Sequence, residues 1–317
     1  AVRHMKEDIG VVLDVDGVLQ NFGRPIPGSA DALRCLYAAR IPFVFLTNAG
    51  GEAEASKAQS LCRLLASDGV HDVPIRAEQV VTANTPFRRL APQYRGRRVL
   101  IVGGKDSLAL AKSYGFDGAV SADDLQTDFP ELCPFKKFHC PERQAAAASN
   151  KLRRSAMTLE EQRDEIRRGL EFAAVFRFTP VGGDLINEVQ IVVDVLQASP
   201  SATFYMQSED ALWSASPSVP FRLGEAVFRY TLETAYQTTT GKPLRVVQFG
   251  KPRRAAFQEA LRALNEERRR LQTSSTDVTV DPSGNEGDQG WGTVFMVGDN
   301  LHVDILGANA LGPPWKS

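Results

Sequence analysis

The chain has no apolar run approaching the roughly 20 residues that a membrane-spanning helix needs, so the sequence pattern offers no helical span. It has almost no net charge. With 37 Lys and Arg against 38 Asp and Glu the balance is -1, which gives no electrostatic case for nucleic acid or an anionic membrane as partner. It has only 4 cysteines, and Cys35, Cys62, Cys133 and Cys140 show no C-x-x-C spacing. That argues against a disulfide framework and against zinc, since Cys133 and Cys140, with His139 between them, lack further ligands at tighter spacing. Reduced thiols suit the interior of a cell or organelle. The sequence shows no internal repeat, and Ala1-Val2-Arg3-His4-Met5-Lys6 lacks the apolar core of a secretory signal.

What is present is a layered α/β pattern. At 317 residues the chain is long enough for two domains with their own cores, and 43% hydrophobic residues are enough to fill them. Short apolar runs that read as buried parallel strands alternate with helix-like segments. The first strand runs from about Ile9 to Val15 and the second covers Phe43 to Leu46. Others cover Val99 to Val102, Ala173 to Phe176, Thr203 to Met206, Val246 to Phe249 and Thr293 to Val297. Helices are expected after Ser29 as N-cap, from Glu54 to Ser67 with Gly69 just past the end, and from Ser107 to Tyr114. Further helices are expected from Asp184 to Gln197, from Gly224 to Gln237 and from Arg254 to Leu271. Residues 141 to 170 carry a dense alternation of Arg and Glu, read as a solvated helix or loop, and 273 to 290 read as a flexible polar insertion. Gly103-Gly104 matches no phosphate-binding fingerprint and reads as an ordinary tight turn.

Four of the strands end in polar groups of complementary chemistry. The first delivers Asp14 and Asp16 ahead of Gly17, which lets the chain turn. The second delivers Thr47 and Asn48, the third Lys251, and the last Asp299, with Asp304 following. In an open parallel sheet such carboxyl ends gather along one edge, where ligands bind. Acids grouped with an ammonium suit a hard divalent cation, while a hydroxyl, backbone amides and the ammonium suit phosphate oxygens. Each motif has a plain alternative: a solvated acid pair at a turn, a turn hydroxyl at Thr47, a solvated Lys251, a helix-capping Asp304.

In order, DVDG at 14–17, TN at 47–48, GKP at 250–252 and GDNLHVDILGA at 298–308 resemble the four motifs of the haloacid dehalogenase superfamily. The long insertion between the second and third motifs resembles the class IIA, NagD-like arrangement. DLINEVQIVVDVL, SEDALW and RLGEAVFRYTLETAYQTTTGKPL resemble the cat-eye-syndrome critical region branch. The resemblance implies an α/β fold: a Rossmann-like doubly wound parallel sheet core, residues 1–82 and 243–317, with an inserted α/β cap of the C2 type, residues 83–242.

It also implies roles. Asp14 is the expected nucleophile, forming an aspartyl-phosphate, and Asp16 the general acid and then base. The presence of this second acid favours phosphate transfer over dehalogenation. Thr47 and the Asn48 backbone are expected to hold the phosphoryl group, and Lys251 to neutralise it and orient Asp14. Mg²⁺ is the expected cofactor, held by Asp14, the Asp16 carbonyl and Asp299, with Asp304 supporting the metal shell. In the cap the family's Asn-Pro-Asp segment is replaced by Ser208-Glu209-Asp210, so only Asp210 carries over as a cap contact to substrate. The chain stops soon after Asp304, where the family usually continues, which suggests a truncated or shortened end of the core.

The implied function is a Mg²⁺-dependent phosphatase acting on a small phosphorylated metabolite, with no nucleic acid or membrane partner and with homodimerisation through the cap. The implied location is intracellular, mitochondrial or cytoplasmic. Two alternatives use the same residues: an inactive or weakly active binding protein, and a phosphotransferase.

Overall fold

The computed structural model describes residues 9–138, 140–178, 184–213, 216–219, 221–273 and 290–317. The opening hexapeptide, His139 and nearly all of the 273–290 insertion lie outside them. The chain divides into two compact units. One comprises Ala1–Pro86, Ser214–Phe221 and Phe249–Ser317, the other Phe87–Trp213 and Arg222–Gln248.

The principal strands are β1 (Ile9–Leu13), β2 (Phe43–Leu46), β3 (Val80–Val81), β4 (Val99–Val102), β5 (Ala119–Ser121), β6 (Ala174–Arg177), β7 (Thr203–Met206), β8 (Val246–Gln248), β9 (Thr293–Val297) and β10 (Trp315–Lys316). The helices are α1 (Ser29–Ala38), α2 (Glu54–Ser67), α3 (Ser107–Ser113), α4 (Ala122–Asp128), α5 (Pro141–Ser155), α6 (Leu159–Gly169), α7 (Leu185–Ala198), α8 (Glu225–Thr240), α9 (Arg254–Thr273) and α10 (Leu306–Leu311).

The first unit holds a parallel sheet in the order β10-β9-β1-β2-β3. β1 and β2 are buried on both faces, whereas β9 leaves Phe295 and Val297 exposed on one. Val11, Leu13, Phe43 and Phe45 pack with Leu33 of α1 and Leu61 and Leu65 of α2 on one face. Val12, Val44, Leu46 and Met296 pack with Phe257 and Leu264 of α9 and with Trp291 on the other. β10 supplies the edge strand beside β9.

The second unit holds another parallel sheet, ordered β8-β7-β6-β4-β5. One face is closed by Ile191, Val192 and Leu196 of α7 and by Phe228 and Leu232 of α8. Aromatic rings gather around Phe176, with the Tyr205 ring stacked 4.7 Å away and Tyr94 edge-on at 5.5 Å.

Three expectations need correction. β8, the strand before Lys251, pairs with β7 in the second sheet and not with the strands that carry the aspartates. The outer junctions of the second unit fall at 86/87 and 248/249, where 82/83 and 242/243 were expected, and a short segment after Trp213 groups with the first unit. Ser29 is not an N-cap: Gly28 precedes the helix with φ 84, and the Ser29 hydroxyl donates to Leu19 O at 3.1 Å. Residues 141–170 form α5 and α6, and their charges are not all solvated. The Arg154 guanidinium is buried, bonded by two nitrogens to Glu131 at 2.9 and 3.1 Å.

Candidate active site

Asp14 is the first residue past β1. Its N–H still donates to Val297 O at 2.8 Å, so the backbone of β9 fixes where its carboxylate starts. The side chain is nearly buried and meets Lys251 Nζ at 2.8 Å. Burial pushes the Asp14 carboxyl up to about 6; Lys251 opposes that rise and the nearby Asp304 adds to it. Asp16 lies past the end of β1, where the chain has left the strand, and its side chain does not follow that of Asp14 into the interior. It is exposed, and its Oδ1 accepts from Gln20 Nε2 at 2.8 Å.

Between them and the last strand stands Gly17. Its φ is +89, and a Cβ there would lie 2.1 Å from Asp299 Oδ2. Glycine is required on both counts: the backbone is left-handed, and the Asp299 carboxylate occupies the space a side chain needs. Gly298 is held by the same kind of crowding, since a Cβ on it would meet Asp304 Cβ at 2.3 Å.

Asp304 lies in a π-helical turn, Leu301–Ile305, between β9 and α10. Such turns insert a residue and re-aim side chains, often at functional sites. Here the turn brings Asp304 fully inside. Its Oδ1 accepts from Lys251 Nζ at 2.6 Å and its Oδ2 from Asn300 N at 3.2 Å. Lys251 thus serves two carboxylates. Burial pulls its pKa down, but Asp14 and Asp304 outweigh that, so it is held above the ordinary lysine value.

Lys251 is placed by Asn48. The Asn48 side chain accepts from Lys251 N at 2.8 Å and donates to Lys251 O at 3.1 Å. Thr47 is buried at the end of β2, its N–H bonded to Val81 O and its hydroxyl accepting from Ala49 N at 3.0 Å. The expected Thr47 and Asn48 therefore sit at a strand end, with the Asn48 side chain engaged to the Lys251 backbone.

Side-chain oxygens of Asp14, Asp299 and Asp304 lie within 4.8 Å of one another. Burial raises the Asp299 carboxyl, and Asp304 and Asp16 raise it further while Lys251 opposes. Three acids gathered around one ammonium leave a surplus of negative charge, and an all-oxygen donor set of this kind fits a hard cation such as Mg²⁺. Asp304 contributes to this cluster directly, beyond the supporting place assigned from sequence.

Asp210 belongs to the second unit. Its carboxylate accepts from Ser208 Oγ at 3.1 Å, and its carbonyl accepts from Ala226 N at 3.0 Å, fixing the turn that opens the short ribbon Leu212–Trp213/Arg222–Leu223. Sequence reasoning missed Gln20, a residue type without chemical signal of its own. It also missed the second use of Asn48, whose partner is 203 residues away.

Comparison with known proteins agrees with this geometry. Residues 11–117 match the haloacid dehalogenase-like hydrolase family and residues 248–315 an HAD-hydrolase-like family; the two segments contain every core site residue. A Saccharomyces cerevisiae protein named mitochondrial hydrolase is 28% identical over 98% of this chain and 86% of its own length. A Schizosaccharomyces pombe cardiolipin synthase/mitochondrial hydrolase fusion protein is 30% identical over 96% of this chain, which spans 46% of that protein. Among solved structures, the glycerol phosphate phosphatase of Mycobacterium tuberculosis in complex with magnesium shares the fold. Its TM-score is 0.55 at 20% identity, over 98% of this chain and 67% of that one. The chain belongs to the haloacid dehalogenase-like hydrolases.

Proposed function

We propose that the protein is a Mg²⁺-dependent phosphatase that hydrolyses a small phosphate monoester through an aspartyl-phosphate on Asp14. The observation that carries this reading is the buried Asp14 carboxylate held at 2.8 Å by Lys251, beside the oxygens of Asp299 and Asp304. A carboxylate kept in place by a fixed ammonium is arranged for attack on phosphorus. Asp14, the Asp16 carbonyl and Asp299 would hold Mg²⁺, assisted by Asp304, and the ion when bound neutralises charge on the phosphoryl oxygens.

In the first half-reaction an Asp14 oxygen forms a bond to phosphorus while the bond to the ester oxygen breaks. The leaving oxygen takes a proton from Asp16. In the second, Asp16 takes a proton from water, the resulting oxygen attacks phosphorus, and the bond to Asp14 breaks to release phosphate. Lys251 balances charge throughout, and Thr47 with the Asn48 backbone receives the phosphoryl oxygens. The yeast relatives' names favour a mitochondrial location.

The test is hydrolysis of 4-nitrophenyl phosphate with and without EDTA, with Asp14→Asn as control. Turnover that needs both the metal and Asp14 supports the reading. A folded, Mg²⁺-saturated protein without turnover on this ester or on a panel of phosphorylated metabolites overturns it.

A further inference from the structure

Asp16 stands exposed and outside the Lys251 cluster, whereas Asp14 and Asp304 are buried against that ammonium. An exposed carboxylate on a turn samples several orientations, because its terminal torsion is soft. Delivering a proton to a leaving oxygen requires one of them. Among the described residues, the hydrogen bond that restrains it comes from Gln20 Nε2, 2.8 Å from Oδ1.

Gln20 is itself anchored. Its N–H donates to Val15 O at 3.1 Å, and its carbonyl accepts from Gly17 N at 2.8 Å, so its backbone is bonded on both sides of Asp16. It also pairs with Pro25 in the ribbon Gln20–Asn21/Arg24–Pro25. The amide therefore reaches Asp16 from a fixed base.

We infer that Gln20 is a positioning residue for proton transfer: its side-chain N–H occupies Asp16 Oδ1 and assigns the transferable proton to Oδ2. The inference rests on the phosphatase reading. An amide N–H can donate to Oδ1 whether the carboxyl is neutral or ionised, so the restraint serves both half-reactions. In the first, the proton leaves Asp16 Oδ2 for the ester oxygen as the phosphorus–oxygen bond breaks and that oxygen keeps the electron pair. In the second, Oδ2 takes the proton of the attacking water.

A positioning role predicts a loss that depends on how much proton help the leaving group needs. The measurement is kcat/KM on 4-nitrophenyl, phenyl and 4-methoxyphenyl phosphate, for the wild type and for Gln20→Glu and Gln20→Leu. The three esters are similar in shape and differ in leaving-group basicity. Positioned acid catalysis is worth roughly 10²–10⁴-fold, so a misaligned Asp16 is expected to lose about tenfold or more on the methoxyphenyl ester and about twofold or less on the nitrophenyl ester. KM should change little.

Gln20→Glu keeps the shape and removes the donor, so it should steepen the dependence as Gln20→Leu does. An equal loss on all three esters, or none, overturns the positioning role. A wild type inactive on every ester overturns the phosphatase reading and the role of Gln20 with it; the wild-type rate tells the two failures apart.

Discussion

The side-chain amide of Asn48 brackets the backbone of Lys251, accepting from its N–H at 2.8 Å and donating to its carbonyl at 3.1 Å. Lys251 follows a strand that belongs to the second sheet, so no ladder of the aspartate-bearing sheet runs through it. Asn48 supplies the missing backbone partners. Asn48→Ala is expected to destabilise the protein by about 1–3 kcal/mol, the usual cost of unsatisfied part-buried polar groups. It should also lower kcat, because Lys251 loses its fixed starting point. Urea unfolding and steady-state kinetics check both.

Lys251 neutralises two buried carboxylates at once. Lys251→Met should cost about 3–5 kcal/mol, since it leaves buried charge unpaired. Adding Asp304→Asn removes one of those charges. The double variant should therefore be more stable than Lys251→Met alone, although inactive. A double-mutant cycle by urea denaturation measures the coupling.

Gly17→Ala should abolish turnover and lower the melting temperature, because the new methyl collides with the Asp299 carboxylate in a left-handed backbone. Gly23, also left-handed at φ +74 but with open space around it, is the control. Gly23→Ala should cost only the backbone strain and leave kcat near wild type.

Mg²⁺ should raise the melting temperature of the wild type, since a ligand of the native state stabilises it by about 2.7 kcal/mol at a hundred times its Kd. Asp299→Asn should remove most of that shift. An unchanged shift in this variant would place the ion elsewhere.

The second unit carries its own buried ion cluster. Arg177 bonds Glu188 at 2.5 Å and Glu225 at 3.0 Å, with its guanidinium 3.8 Å from the Phe228 ring centre. Burial raises both carboxyls above the ordinary 4.5 despite the guanidinium; Lys136 also lowers Glu188 and Asp123 raises it. The folded protein thus holds these protons more tightly than the unfolded chain. Their contribution is fully present below about pH 4.5 and is lost as pH rises through the raised values. Glu188→Gln should gain stability relative to wild type between pH 4.5 and 7, as urea midpoints at the two pH values will show.

The legible parts of the sequence were those whose information is local. β1, β2 and β9 are uninterrupted apolar runs, and their polar ends stand where the strands stop. What could not be read depends on non-local choice or on very short elements. Val246–Gln248 is apolar enough for either sheet, and only its pairing with β7 decides. β3 and β10 are two residues long, too short for any periodicity. Asp304 looks like a helix-capping acid until the π-helical turn carries it inward.

The Asn48–Lys251 bond spans 203 residues and Lys251–Asp304 a further 53. The group of Asp14, Lys251, Asp299 and Asp304 is complete only once β9 and the π-helical turn after it have been made. Loop-closure entropy rises only with the logarithm of length, so the intervening domain can grow or shrink at little thermodynamic penalty. Selection is thus free to remodel it without disturbing the site it interrupts.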